Sequence, residues 1–423
     1  GALGGAGPLQ LAGGNLYFAN NANLSPTKNA VTISSDTAIT VDRLSSAGAG
    51  VTVTLGTLAI GSHQVDVKAG NLVTSGTAGL VFGAVTLSGS PTFTVTDPLN
   101  CGGTKLTIGA LGGTGDLTMD SQSLVAGNGI FLTGASTHTG DVILKNNGSA
   151  TGGITVSGAM GHTGDLILQN NGSAASGITV SGGPNITGQI VNEGTGSNTV
   201  VISGIIGPNV TAVRQESATS VLTLTGANTF TCGLTVDSNR MVRVNNATGS
   251  ATGSGTVAIA GGGTLEGKGT LSGTVNLAAG GTLSPTINDR AAAGKLTVGN
   301  LEWQGGGIFD CVVAKIGAAV GGVDFGQIHV NNNITPLPGD TNLVIRLDTR
   351  GQAMAYDPLG NYGLKLITFS VAGMATNLDL TRVSLDTNAF LVAGGNWTLT
   401  NILNSVFLAC INVPSTPGQN VWC

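Results

Sequence analysis

Two histidines at equivalent places in neighbouring copies of a repeat are the residues best placed to do chemistry. His138 and His162 each stand three residues before an aspartate, Asp141 and Asp165. If the copies stack, two imidazoles and two carboxylates lie close together, and such groups can bind a divalent metal. The third copy has no histidine and has Gln189 in place of the aspartate. The pattern therefore favours a repeated polar corner, and we predict no metal and no cofactor.

Acid–base chemistry on a polysaccharide would need clustered Asp or Glu beside Arg or Lys. The chain has 16 Lys and Arg and 21 Asp and Glu in 423 residues, and they are scattered. The nearest approach to a cluster is DTRGQAMAYD (348–357), which we interpret as a turn between two strands. A cleft with two or more carboxylates beside Arg346 or Arg350 would favour an enzyme. Without one, we predict no enzymatic activity.

Composition and charge exclude several other classes of protein. The net charge is −5 and no basic stripe is present, so a nucleic-acid partner is not expected. No run of about 18 apolar residues occurs, so we predict no transmembrane helix. The chain starts GALGGAGPLQ, without an initiator Met. Cleavage of an export signal would explain this start, and so would an edited chain.

The elements that would position these side chains are short strands in a repeat. The stretch 138–158 recurs at 162–182, an offset of 24 residues, and a shortened third copy spans 186–204. Each copy holds short alternating apolar runs bounded by Gly, Asn or Ser, which is typical of strands joined by tight turns. One copy cannot bury a face alone, whereas stacked copies can. The sequence therefore predicts an all-β solenoid of short repeats over residues 1–300.

The C-terminal part differs in composition from the rest. Glycine becomes sparse after residue 300, and all three tryptophans, Trp303, Trp397 and Trp422, lie there. Longer apolar strands are predicted at 341–349 and 362–371. We predict that 301–423 is a β-rich region that caps or continues the solenoid, with an independent β-sandwich as the alternative.

The segment 222–286 closely resembles the autotransporter-associated β-strand repeat. It contains LTGANTFT and then the phrase Gly-Gly-Thr-Leu at 262–265 and again at 280–283. The continuation 296–330 is similar to the segment that comes after such repeats in bacterial surface proteins. The resemblance implies a right-handed parallel β-helix that is secreted and displayed outside the cell as a passive or adhesive element. Cys232 departs from the family pattern, because it stands where the family usually has glycine.

Five cysteines are candidates for disulfides. Cys410 and Cys423 bracket a Pro-containing tail, and we predict that they close a loop. Cys101, Cys232 and Cys311 then remain. One of these could link subunits, although a buried free thiol is the commoner state of a lone cysteine.

Glycosylation is a second modification that the sequence allows in an exported chain. Chance explains most of the Asn-x-Ser/Thr motifs in a chain so rich in Asn and Thr. Their asparagines are Asn147, Asn171, Asn185, Asn209, Asn246, Asn333 and Asn396.

Together these observations predict an extracellular structural protein that assembles with copies of itself into a filament, sheath or surface layer. The alternative is an autotransporter-like surface adhesin, with cell-surface glycans as partners, which would show an exposed binding face. A polysaccharide-acting β-helix enzyme comes third, and it would show a cleft of carboxylates beside arginine. In each case we expect the protein to be secreted, at the cell surface or outside the cell.

Overall fold

The computed structural model describes residues 7–25, 29–99, 102–173, 175–287, 291–337, 342–357, 362–371, 377–392 and 394–410. The chain divides into two compact units, Gly1–Thr223 and Leu224–Cys423. We call them unit 1 and unit 2. Strand β22 (Leu222–Leu224) contains the boundary.

The strands of unit 1 are short, and glycine-containing turns separate many of them. They are β1 (Leu9–Ala19), β2 (Val31–Asp42), β3 (Gly48–Ala49), β4 (Thr52–Thr54), β5 (Leu58–Ile60), β6 (Gln64–Ala69), β7 (Val73–Ser75), β8 (Thr77–Phe82), β9 (Val85–Ser88), β10 (Thr92–Thr96), β11 (Gly103–Ile108), β12 (Leu111–Thr114), β13 (Leu117–Gln122), β14 (Gly129–Leu132), β15 (Val142–Asn146), β16 (Ile154–Val156), β17 (Leu166–Asn170), β18 (Ile178–Val180), β19 (Gln189–Asn192), β20 (Val200–Ile202) and β21 (Ala212–Gln215).

These strands form a parallel β-solenoid, as the sequence predicts. One sheet includes the succession β10, β13, β15, β17, β19 and β21, and a second contains β4, β8, β11, β14, β16, β18 and β20. β15 pairs with β17 from Val142↔Leu166 to Asn146↔Asn170, so the 24-residue sequence offset is one coil. Equivalent residues of successive coils therefore stack at about 4.8 Å.

The core lies between the sheets and arises from the two-residue alternation of each strand. In β15 the side chains of Val142, Leu144 and Asn146 are buried, whereas Ile143 and Lys145 face outward. Because every coil repeats this pattern, Val, Leu and Ile form continuous inward columns that exclude water.

Unit 2 is built in the same way. Its strands are β23 (Leu234–Val236), β24 (Met241–Val244), β25 (Val257–Ile259), β26 (Thr264–Gly267), β27 (Gly269–Leu277), β28 (Thr282–Ser284), β29 (Thr286–Ile287), β30 (Ala292–Ala293), β31 (Lys295–Gln304), β32 (Ile308–Val312), β33 (Gln327–Val330), β34 (Ile334–Leu337), β35 (Leu343–Asp348), β36 (Tyr362–Phe369), β37 (Val383–Ala389), β38 (Trp397–Ile402) and β39 (Ser405–Cys410). A 3₁₀ turn, Leu380–Arg382, precedes β37.

Parallel pairing continues through most of unit 2 and then changes. β27, β31, β33 and β36 form one parallel series, and β28, β32, β35 and β37 form another. At the C-terminal end β39 pairs antiparallel with both β36 and β38. The structure thus confirms a β-rich C-terminal region. The predicted boundary between residues 300 and 301 falls inside β31. The division of the chain at that point stays a prediction.

No helix among the described residues is long and apolar enough to cross a membrane.

Candidate functional site

The two repeat histidines of unit 1 are stacked inside the solenoid. His138 and His162 are both 0% exposed, with ring centroids 5.1 Å apart and an angle of 23° between the ring planes. Ser136 Oγ and His138 Nδ1 are 3.1 Å apart. Among the described residues, the other three ring nitrogens have no partner of normal hydrogen-bond geometry. The sequence predicted the stacking, but it did not reveal that the rings face the core.

Burial sets the protonation state of this pair. Removal from water lowers the pKa of His162 to about 4, and the neighbouring His138 adds to the effect, while the backbone and carboxylate of Asp165 oppose it. Burial also lowers the pKa of His138 against the opposing influence of Asp141 and Asp116. Both imidazoles are therefore neutral at pH 7 and add no charge to the core.

The aspartates near the two histidines accept backbone hydrogen bonds from the next coil. Within the described residues, no group of three or more His, Cys, Asp or Glu converges as a metal site. Instead Asp116 Oδ1 accepts the backbone N–H of Asp141 at 2.8 Å, and Asp141 Oδ1 accepts that of Asp165 at 2.7 Å. Asp165 Oδ1 accepts the N–H of Gln189 at 2.7 Å. We call these three aspartates the corner ladder, because each ties one coil to the next.

Removing one step of the corner ladder should weaken the join between two coils. We expect Asp141→Ala to lower the free energy of unfolding by about 1 kcal/mol, because the N–H of Asp165 loses its acceptor. Asp141→Asn keeps an acceptor oxygen and should cost less than half as much. Urea denaturation followed by circular dichroism measures both. Equal losses in the two variants would show that the charge, and not the acceptor, stabilises the corner.

A second polar column runs inside unit 1, and sequence reasoning missed it. Asn146 Nδ2 donates to Asn170 Oδ1 at 2.9 Å, and Asn192 Nδ2 donates to Gln215 Oε1 at 2.8 Å. All four side chains are 0% exposed. Like the cross-strand amide ladders of stacked sheets, these bonds link neighbouring coils. The repeated Asn-Asn-Gly was the available signal, but the column's inward direction depends on strand register.

Unit 2 contains a column of opposite charges that sequence reasoning also missed. Arg243, Glu266 and Ser284 stand at paired positions of successive strands, and Arg243 Nε donates to Glu266 Oε1 at 2.6 Å. Asp310 accepts from Arg346 Nε at 2.8 Å and from Ser284 Oγ at 2.9 Å. The Glu266 and Asp310 side chains are 0% exposed. They balance buried charge and do not face solvent, where a substrate would bind.

The segment 348–357 lies between β35 and β36 and turns at Arg350 and Gly351, which both have positive φ. Arg350 Nη1 is 3.3 Å from Asp348 Oδ2 in this turn. Arg346 and Arg350 thus each have a carboxylate partner, but Asp310 is buried and Asp348 is the last residue of β35 before the turn. A polysaccharide-acting enzyme stays the third hypothesis.

No disulfide joins the described cysteines, Cys232, Cys311 and Cys410, to one another, and burial raises the pKa of the Cys311 and Cys232 thiols. Cys311 is fully buried, whereas Cys232 is exposed. Cys101 and Cys423 lie outside the described residues, so the disulfide between Cys410 and Cys423 stays a prediction.

The predicted glycosylation motifs differ in accessibility. Asn246 is 7% exposed and donates to the carbonyls of Thr248 and Gly249, so its amide is not open to an enzyme. Asn147, Asn185, Asn209, Asn333 and Asn396 are exposed, and Asn171 is half-buried.

The first strand of unit 1 presents an open sheet edge. β1 pairs with β2 on one side, and among the described residues no strand pairs with its other side. Its sequence, LQLAGGNLYFA, has no charged residue and no proline, which are common protections of an edge. The Tyr17 hydroxyl donates to Asp42 on β2, which raises the pKa of Tyr17 to about 12 and anchors β1.

Comparison with known proteins adds no relative. No protein-family model matches the chain. No curated protein matches it either. The resemblance to the autotransporter-associated repeat therefore stays a prediction, and functional argument rests on the geometry of the two units.

Proposed function

We propose that this protein is an extracellular structural protein that assembles with copies of itself into a filament, sheath or surface layer. The observation that supports it most directly is the open edge of β1, eleven residues long and uncharged. An unprotected edge offers backbone N–H and C=O groups to another chain. Export to the cell surface is part of the proposal and rests on the resemblance of 222–286.

Low charge supports the same function. A net charge of −5 over 423 residues produces little repulsion between copies at physiological ionic strength. The inward columns are also shielded from water, since the apolar side chains of both units and the amide side chains of unit 1 are buried. A protein with such a continuous buried core can stay folded outside the cell without the disulfides that a small core would need.

The test is electron microscopy of material attached to and shed from the producing cells, at neutral pH without reductant. We expect ordered fibres or sheets with one chain per repeat, and sedimentation of the purified chain at micromolar concentration. Dispersed single particles in both preparations would contradict the proposal.

One observation favours the adhesin as second candidate. Four aromatic rings meet in unit 2, where Tyr362 lies 5.6 Å from Tyr356 and 5.7 Å from Trp397, and Phe390 lies 5.3 Å from Trp397. Half-exposed Tyr and Trp rings can stack on sugar faces. The test is binding of the wild type and two variants to a glycan array. Loss of binding in Trp397→Ala, with binding kept in Leu403→Ala at an exposed site, would support the adhesin. Absence of binding by the wild type would exclude this candidate.

A further inference from the structure

We propose that copies join head to tail, with the open edge of β1 in one copy pairing with the open edge of β38 in the next. This inference rests on the proposed function, because it names the surfaces through which the polymer would grow. It commits to a second copy of this chain as the partner of β1.

The pairing of β1 with β2 decides which backbone groups of β1 point outward. From Gly14↔Thr37 to Ala19↔Asp42 the register is regular, and the N–H of Asn20 donates to the carbonyl of Asp42 at 3.1 Å. In a parallel strand, the N–H and C=O groups of successive residues point alternately to one side of the strand and to the other. Asn15, Tyr17 and Ala19 therefore direct these groups away from β2.

The partner edge is as long as the regular part of β1, residues 14–19, and has the same alternation. β38 has six residues, WTLTNI, with no charge, and among the described residues it pairs only with β39. The pair Ile402↔Ser405 closes a two-residue turn, so Ile402, Thr400 and Thr398 bond to β39. Trp397, Leu399 and Asn401 then direct their backbone groups outward. Three outward residues on β38 match three outward residues on β1.

The two edges differ in sequence, which decides the kind of polymer. Pairing of β1 with β1, or of β38 with β38, would use identical surfaces and close as a dimer. Pairing of β1 with β38 leaves a free edge of each kind on every product, so growth continues. Tyr17, 52% exposed, and Trp397 on β38 also supply the aromatic side chains that anchor protein interfaces.

Proline substitutions test each edge separately. Ala19→Pro and Leu399→Pro each remove an outward N–H while leaving the pairing within the chain intact, since proline is tolerated at the open side of an edge strand. Ala19→Val and Leu399→Val are the matched controls, because valine keeps the N–H at similar side-chain volume. Thermal melts followed by circular dichroism report whether each variant is folded. If Ala19→Pro is unfolded, Asn15→Lys replaces it as the β1 variant. If Leu399→Pro is unfolded, Thr398→Lys replaces it as the β38 variant.

Sedimentation velocity then gives the result. We expect each proline variant alone to stay monomeric at concentrations at least about tenfold above that at which the wild type assembles. An equimolar mixture of the two should form dimers and nothing longer, because one intact edge of each kind remains. The valine variants should assemble like the wild type.

Three outcomes would overturn the inference. Assembly of Ala19→Pro at the wild-type concentration would show that β1 is not the contact, while the proposed function would stand. Dimers of Leu399→Pro alone would indicate pairing of β1 with β1. A wild type that stays monomeric would refute the proposed function and this contact together.

Discussion

Replacing Gly158 by alanine should lower the free energy of unfolding of unit 1 by about 3 kcal/mol. A Cβ at this position would lie 1.7 Å from the carbonyl oxygen of Gly134 in the preceding coil. Neither backbone can retreat without breaking the stacked register, since Gly182 of the following coil approaches Gly158 in the same way, with 1.8 Å to its oxygen. The added methyl must therefore open the stack between two coils.

Gly161→Ala is the matched control for this clash. A Cβ at Gly161 meets its nearest atom, the carbonyl oxygen of Ser136, at an ordinary 3.9 Å. We expect a change within about 0.5 kcal/mol. Urea denaturation of both variants, with hydrogen exchange to locate the affected coils, measures the difference. Equal stability of the two variants would show that the coils are less tightly stacked at Gly158 than the structure indicates.

Acidification should destabilise unit 1 through the buried histidine pair. The pKa of His162 is about 4 in the folded protein, below the ordinary value of 6.5 that it regains on unfolding. The unfolded chain therefore binds more protons between these values, so the stability present above pH 6.5 is lost as the pH falls toward 4. The expected loss from pH 7.5 to pH 4.5 is about 2–3 kcal/mol.

His162→Ile isolates this effect, because Ile186 fills the same position of the next coil and is fully buried. The variant should lose less than half as much stability as the wild type over that pH range. Urea titrations at pH 7.5, 6.0 and 4.5 measure the two proteins. If His162→Ile keeps the full pH dependence, the pair is not its source.

The charged groups that act on the pair all belong to the corner ladder. Asp165 acts on His162, and Asp141 and Asp116 act on His138. His162→Ile keeps all three carboxylates, so its comparison with the wild type isolates the histidine.

By itself, the sequence determined the class of fold. A 24-residue repeat with short alternating runs can bury its apolar side chains only by stacking, so the solenoid and the pairing of β15 with β17 could be predicted from the pattern. The turn at 348–357 could be predicted in the same way. Local signals sufficed for these features, because turn chemistry and two-residue alternation act within a few residues.

Only the tertiary structure decided what the polar residues do. In the sequence, the spacing of Asp141 and Asp165 after the histidines suggests metal ligands. In the structure, each accepts a backbone N–H from the next coil. Glu266 and Asp310 gave no local signal, because their partners Arg243 and Arg346 are 23 and 36 residues away. Strand register between coils brings such groups together, and a shift of one residue would turn every side chain to the opposite face.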